Sequence, residues 1–243
     1  MFALLRKEIN SFFSTIVGYI VIMVFLTANS LFLWIFPGEL NVLESGYATI
    51  DTLFIIAPWV FLFLVPAVTM RMFSEERKTG TIELLLTRPL SDLQIISAKF
   101  LAGLILVLFS LLPCLVYFIS VYLLGNPVGN IDTGGTWGSF IGLFFLAGIY
   151  VSIGIFASSM TDNQIIAFIL SLILCFSFFI GFESLSSIPI FQSIDHVIMN
   201  LGINEHYKSM SRGVIDSRDM VYFAVVVVSF LVFTKMSMQS RRW

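Results

Sequence analysis

The sequence predicts an all-α polytopic membrane protein with six transmembrane helices, and three observations carry that prediction. Hydrophobic residues make up 58% of the 243-residue chain, charged residues only 12%, and the mean hydropathy of +0.98 excludes an ordinary soluble globule. Six apolar runs are long enough, or nearly so, to cross a hydrocarbon core of roughly 30 Å at about 1.5 Å per residue. They fall at residues 16–36, 53–70, 100–124, 138–158, 165–182 and 220–234. The basic residues then sort to one side of these runs. The whole chain, residues 1–243, reads as a single transmembrane domain, with residues 1–15, 71–99 and 183–219 outside the hydrocarbon.

Before the first span, Phe2, Leu5, Ile9 and Phe12 recur at spacings of three and four, with Arg6, Lys7, Glu8 and Asn10 in the remaining positions. That pattern suits a helix lying in the interface, or equally a helical extension of the first span. The first span, about 21 residues long, exceeds the apolar core of a cleavable leader, and no small-x-small site follows it. It is expected to stay. Span two carries Pro58 and Pro66 and span three carries Pro113, each a place for a bend. Gly138 and Gly142 in span four predict close helix packing. The connection SMTDNQ is so short that spans four and five should be antiparallel neighbours. In the outer segment 183–219, IFQSIDHVIMNLGI places Ile190, Ile194, Val197, Ile198 and Leu201 on one face of an amphipathic helix at the rim. Asp216, with Asp219 three residues on, is expected to cap the last span, which extends across a snorkelling Lys235.

Ten of the 13 Lys and Arg residues lie on one side of the spans, which marks that side as cytoplasmic and places both termini there. Nine of the 15 acidic residues lie on the other. The net charge of −2 and pI near 5.6 therefore conceal a polarised molecule and imply no nucleic-acid partner.

Several chemistries are excluded. No predicted span has Asp, Glu, Lys, Arg or His in its interior, which argues against a proton-coupled carrier or ion pump. No Lys follows a Gly, so the chain has no GxxxxGK[ST] phosphate loop, and no cofactor is expected on it. His196 and His206 stand ten apart with no HExxH or CxxC, so neither a metal site nor a catalytic residue is expected. Cys114 and Cys175, inside predicted spans, read as small hydrophobes.

Chemistry concentrates instead in residues 71–99, which hold five of the 13 basic residues. Gly80 interrupts a helical extension of span two, Thr81 opens a short helix TIELLLT, and Pro89 ends it. Ile82, Leu85 and Leu86 share one face of that helix. Ser91 with Gln94 matches a capping box opening the helix of span three, and Asp92 sits in its first turn. Two helical turns are not stable alone. The apolar edge either lies on the membrane surface or docks in a groove of a cytoplasmic partner, with flanking charges setting register.

The run Met70, Arg71, Phe73, Glu75, Glu76, Arg77, Thr79 to Thr87, and Pro89, ending at Lys99, resembles the signature after the second span of ABC-2 type exporter permeases. The N-terminal LLRKEINSFF, the six spans, the inside termini and the helical outer loop also look like that family. Within it, SRGVIDSRDMVYF and the terminal RRW are most similar to the gliding-motility-associated permease subunit. The resemblance implies a permease subunit in a bacterial cytoplasmic membrane, dimeric with itself or a related permease. It also implies two copies of a separate ATPase that carry the ATP and Mg. Residues 81–87 would then be the coupling helix on that ATPase. Glu75, Glu76 and Arg77 would make polar contacts, Gly80 the hinge, Ile82, Leu85 and Leu86 the docking edge, and Glu83 a pair with a partner cation. The other reading is a subunit that moves no solute and transmits the ATPase stroke to a membrane-anchored partner with an outer domain.

Overall fold

A backbone surrounded by apolar side chains and lipid has no water to bond with, so its N–H and C=O groups are satisfied within helices. The computed structural model describes residues 1–81, 91–189, 194–213 and 216–240. Among the described residues there are no strands, and six helices are long and apolar enough to cross a membrane. In chain order the helices are α1 (Phe2–Phe13), α2 (Ile16–Ile35), α3 (Asp51–Thr69), α4 (Arg71–Lys78), α5 (Asp92–Leu124), α6 (Thr133–Met160), α7 (Gln164–Ser186), α8 (Asp195–Met199), α9 (Ile203–Ser211) and α10 (Ser217–Gln239). The second span is α3 with α4, joined through Met70; the others are α2, α5, α6, α7 and α10.

The hub is α6. In its most apolar stretch 78% of residues are buried, against 17% in α10, so α6 is the axis and α10 lies at the periphery. Small residues make this possible. Gly154 of α6 receives Thr69 of α3 so closely that any side chain at 154 would overlap the threonine hydroxyl. Gly103 of α5 likewise faces Val151 of α6. As the short connection requires, α6 and α7 are packed neighbours. Pro58 and Pro66 sit inside an unbroken α3, whereas Pro113 falls in a 3-10 stretch, Leu112–Cys114, that interrupts the α-helical ladder of α5.

At the end away from the basic cluster, here the far end, the packing partner of Gly138 is not another span. A side chain there would meet the Met210 carbonyl at 2.7 Å and Gly213 Cα at 2.9 Å, so Gly138 and Gly142 make room for α9. That helix buries Ile203, Tyr207 and Met210, and the Tyr207 hydroxyl donates to the Phe54 carbonyl of α3 at 2.8 Å. Burial pushes the Tyr207 hydroxyl well up from its ordinary pKa. Of the amphipathic stripe expected around residues 190–201, Ile190 lies outside the described residues, Ile194, Val197 and Leu201 are exposed, Ile198 is half-buried, and a short helix runs over Asp195–Met199. The spacing of Ile203, Tyr207 and Met210 gives α9 a continuous apolar face and a glycine-lined groove to fill. Asp216 caps α10 as expected, accepting from the Arg218 amide at 3.0 Å. Asp219 instead turns to His206, with Nδ1 at 2.7 Å, and the imidazole stacks on Tyr222 at 3.8 Å.

Candidate functional site

The charged segment leaves the bundle as the two local signals dictate. Thr79 ends α4, its amide bonded to the Glu75 carbonyl at 3.0 Å, and Gly80 follows at φ +71°, in the left-handed region where glycine alone is unstrained. Thr81 closes back on the helix end through its hydroxyl, 3.3 Å from the Glu76 carbonyl. On the return, Ser91 and Gln94 form the full capping box, Gln94 N–H to Ser91 Oγ at 3.3 Å and Ser91 N–H to Gln94 Oε1 at 3.1 Å. Ile82, Glu83, Leu85, Leu86 and Pro89 lie outside the described residues.

The root of α4 is held by the central helix. Turning at Met70 leaves backbone groups at the start of α4 in need of partners. Ser158 of α6, fully buried, supplies them: its Oγ accepts from the Phe73 and Ser74 amides at 3.0 and 3.1 Å and donates to the Met70 carbonyl at 2.8 Å. Ser158→Ala strands buried amides and is expected to destabilise the fold by about 1–3 kcal/mol, read as a lower thermal midpoint in detergent. An unchanged midpoint would show that other groups take over those bonds.

Beside that root lies a closed ring of four charges. Lys99 is fully buried, two turns into α5, and its ammonium has three donors. It donates to Glu8 Oε1 of α1 at 3.1 Å and to the Met72 carbonyl at 2.6 Å, and it forms an ion pair with Glu76 Oε2 of α4 at 3.0 Å. The ammonium also stands 5.0 Å from the centre of the Phe73 ring, within cation–π range. Lys7 closes the ring from outside, 2.9 Å from Glu76 Oε1 and 3.4 Å from Glu8 Oε1. Two acids and two bases sum to zero, the condition under which charges can be buried together. Burial pulls the Lys7 ammonium down, but its hydrogen bond to Glu76 and the charges of Glu76 and Glu8 more than offset this and hold its pKa above the ordinary value.

The residues expected here thus divide. Glu75 is exposed. Glu76 is 9% exposed and turned inward on Lys99 and Lys7, so its carboxylate fastens the chain to itself. Among the partners of Arg77 is Asp162 in the short α6–α7 connection, at 3.6 Å. Of the expected α1 stripe Phe12 is buried, Leu5 and Ile9 are half-buried against the core and Phe2 is 83% exposed, while Leu4 and Glu8 also face the bundle. Residues four apart share a helix face, and Glu8 sits in the middle of that face because Lys99 waits opposite. The readable signal was the Leu4-Glu8-Phe12 spacing; its partner, 91 residues away, carried none.

At the far end α3, α6, α7 and α9 enclose an open cleft of about 620 Å³, floored by Phe54, Pro58, Trp59 and Phe179, with the Lys208–Glu183 ion pair at its rim. No group of His, Cys, Asp and Glu able to hold a metal occurs among the described residues. The chain is matched over residues 39–202 by a family model described as ABC-2 family transporter protein. No curated protein matches it.

Proposed function

Because the chain belongs to the ABC-2 family of transporter proteins, and is thus the membrane subunit of an ABC transporter with an ABC ATPase as partner, we propose that it couples ATP hydrolysis on that partner to movement of its own spans. In this reading it is an exporter subunit in a bacterial cytoplasmic membrane with both termini inside. It pairs with a second copy or a related permease over two ATPase copies, which carry ATP and Mg, and it serves gliding motility.

One observation carries the coupling assignment. The helix that enters the charged segment is wired at its root to three other elements, through Ser158, Lys99 and Lys7, and then stops at Gly80. A rigidly seated shaft ending in a glycine joint is the shape a handle needs, because a push beyond the joint is delivered to the bundle. Residues 81–87 are the part gripped, with Ile82, Leu85 and Leu86 against the ATPase, Glu83 on a partner cation and Pro89 closing the helix. Glu75 remains a partner contact, whereas Glu76 and Arg77 anchor the shaft.

Leu85→Asp in the docking edge is expected to weaken co-purification of the ATPase at least about tenfold, as loss of an interface anchor does. Gly80→Pro, which forbids the positive φ, is expected to leave the ATPase bound and abolish ATP-dependent activity. If both variants kept full association and activity, the docking assignment would be wrong. The second reading, force transmission without cargo, draws support from the apolar spans, which offer no charged path for a hydrophilic solute. Reconstituted complex that turns over ATP while moving no cargo under any condition favours it.

A further inference from the structure

The ring of charges does more than neutralise itself: it joins three elements far apart in sequence. Glu8 belongs to α1, Glu76 to α4 and Lys99 to α5, and the buried ammonium of Lys99 is hydrogen-bonded to Glu8 and the Met72 carbonyl and ion-paired with Glu76 at once. The N-terminal helix is in turn locked to the first span. At the corner between α1 and α2 a side chain on Gly18 would stand 2.5 Å from the Phe12 carbonyl, so the two helices meet backbone to backbone. Phe12 is buried beneath that corner, and α2 continues into a face-to-face stack of Phe25 on Phe61 of α3. There is thus an unbroken rigid path from α4 through Lys99 and Glu8 into α1, and from α1 into α2.

We infer that α1 is a second transmission arm, which carries displacement of α4 into the first span, with Lys99 as its positioning residue. A push on the charged segment then enters the membrane twice. One route runs directly along α3, and the other runs sideways through the ring to α2. The chemistry favours rigidity over slippage. Lys99 donates hydrogen bonds to Glu8 and to the Met72 carbonyl and is ion-paired with Glu76, and parting it from either carboxylate would leave a charge uncompensated in a buried place. The inference deepens the coupling reading above, since it names the internal route that the stroke takes, yet the link itself exists in the chain alone.

That allows a test needing no ATPase. Amide hydrogen exchange is followed on the purified chain in nanodiscs, comparing wild type with Glu76→Gln and with Glu75→Gln, its exposed neighbour on the same helix. Glu76→Gln is expected to speed exchange in α1 and the first turn of α2 by about tenfold, with α9 and α10 unchanged. Glu75→Gln is expected to change neither. Should Glu76→Gln fail to fold, Lys99→Met with Glu76→Gln removes one acid and one base together and is expected to release α1 in the same way. In the complex, ATP is expected to alter exchange in α1 and α4 together in wild type, and in α4 alone once Glu76 is Gln. The inference is overturned if α1 keeps wild-type protection in both ring variants, if all helices loosen equally, or if ATP moves α4 without α1 in wild type. A negative result in the isolated chain leaves the ATPase co-purification untouched, so the two readings fail separately.

Discussion

Lys99→Met is expected to cost about 3–5 kcal/mol, the usual penalty for removing one partner from a buried ion pair. The side chain is 0% exposed, so solvent does not soften the loss. What remains is two carboxylates, Glu8 and Glu76, sharing the single ammonium of Lys7, and the buried ring passes from neutral to a net charge of −1. Against a total stability of the order of 5–15 kcal/mol, that is a large fraction. The measurement is the thermal midpoint and folded yield of the variant in detergent. Removing charge in pairs separates cause from coincidence. Lys99→Met with Glu76→Gln leaves Lys7 beside Glu8, a neutral pair, and methionine fills the alkyl volume. Most of the lost stability should return, since replacing both members of a buried pair is often neutral or better. If the single variant were as stable as wild type, Lys99 would not be a desolvated hub.

The contrast between the two variants also explains why the ring escaped sequence reading while its surroundings did not. Every signal that acts within a few residues was legible. Gly80 announced the end of α4, Ser91 with Gln94 announced the start of α5, Asp216 announced α10, and the apolar runs announced six spans, every helix but the first extending beyond the predicted core. These features are set by backbone sterics, capping and hydrophobic length, which neighbouring residues decide. Long-range pairing obeys no such spacing. Glu76 read as an outward contact because acidic residues in a charged run are commonly solvated; Lys7 and Lys99 reverse that only once three elements converge. Ser158 gave no signal either, since a serine near the end of an apolar span looks like a small packing residue. The same holds for α9. Its buried face was overlooked in favour of the more apolar stretch before it, because the glycine groove on α6 that receives it is visible only in three dimensions. The assignment of residues 82–89 rests on sequence and family alone.

Gly154→Ala should be the most damaging single-methyl change in the core. An added Cβ would overlap the Thr69 hydroxyl and lie 2.7 Å from Thr69 Cβ. Neither atom can retreat easily. Thr69 Oγ1 is tied to the Val65 carbonyl at 2.9 Å, the residue is fully buried, and it sits at the last turn of α3 immediately before the Met70 break. Overpacking of this kind costs about 1–3 kcal/mol, and more where backbone must shift. Here the backbone that shifts is the junction between α3 and α4, so the effect reaches the coupling segment as well as the core. A lowered thermal midpoint together with faster amide exchange in α4 is the expected result. The compensating change is Thr69→Gly, which removes both clashing atoms. In a double-mutant cycle the pair should then be more stable than the sum of the single variants predicts, by a coupling of about 1 kcal/mol or more. Strict additivity would mean that α3 and α6 do not meet at these two positions. The packing would then need revision where the shaft of the handle enters the membrane.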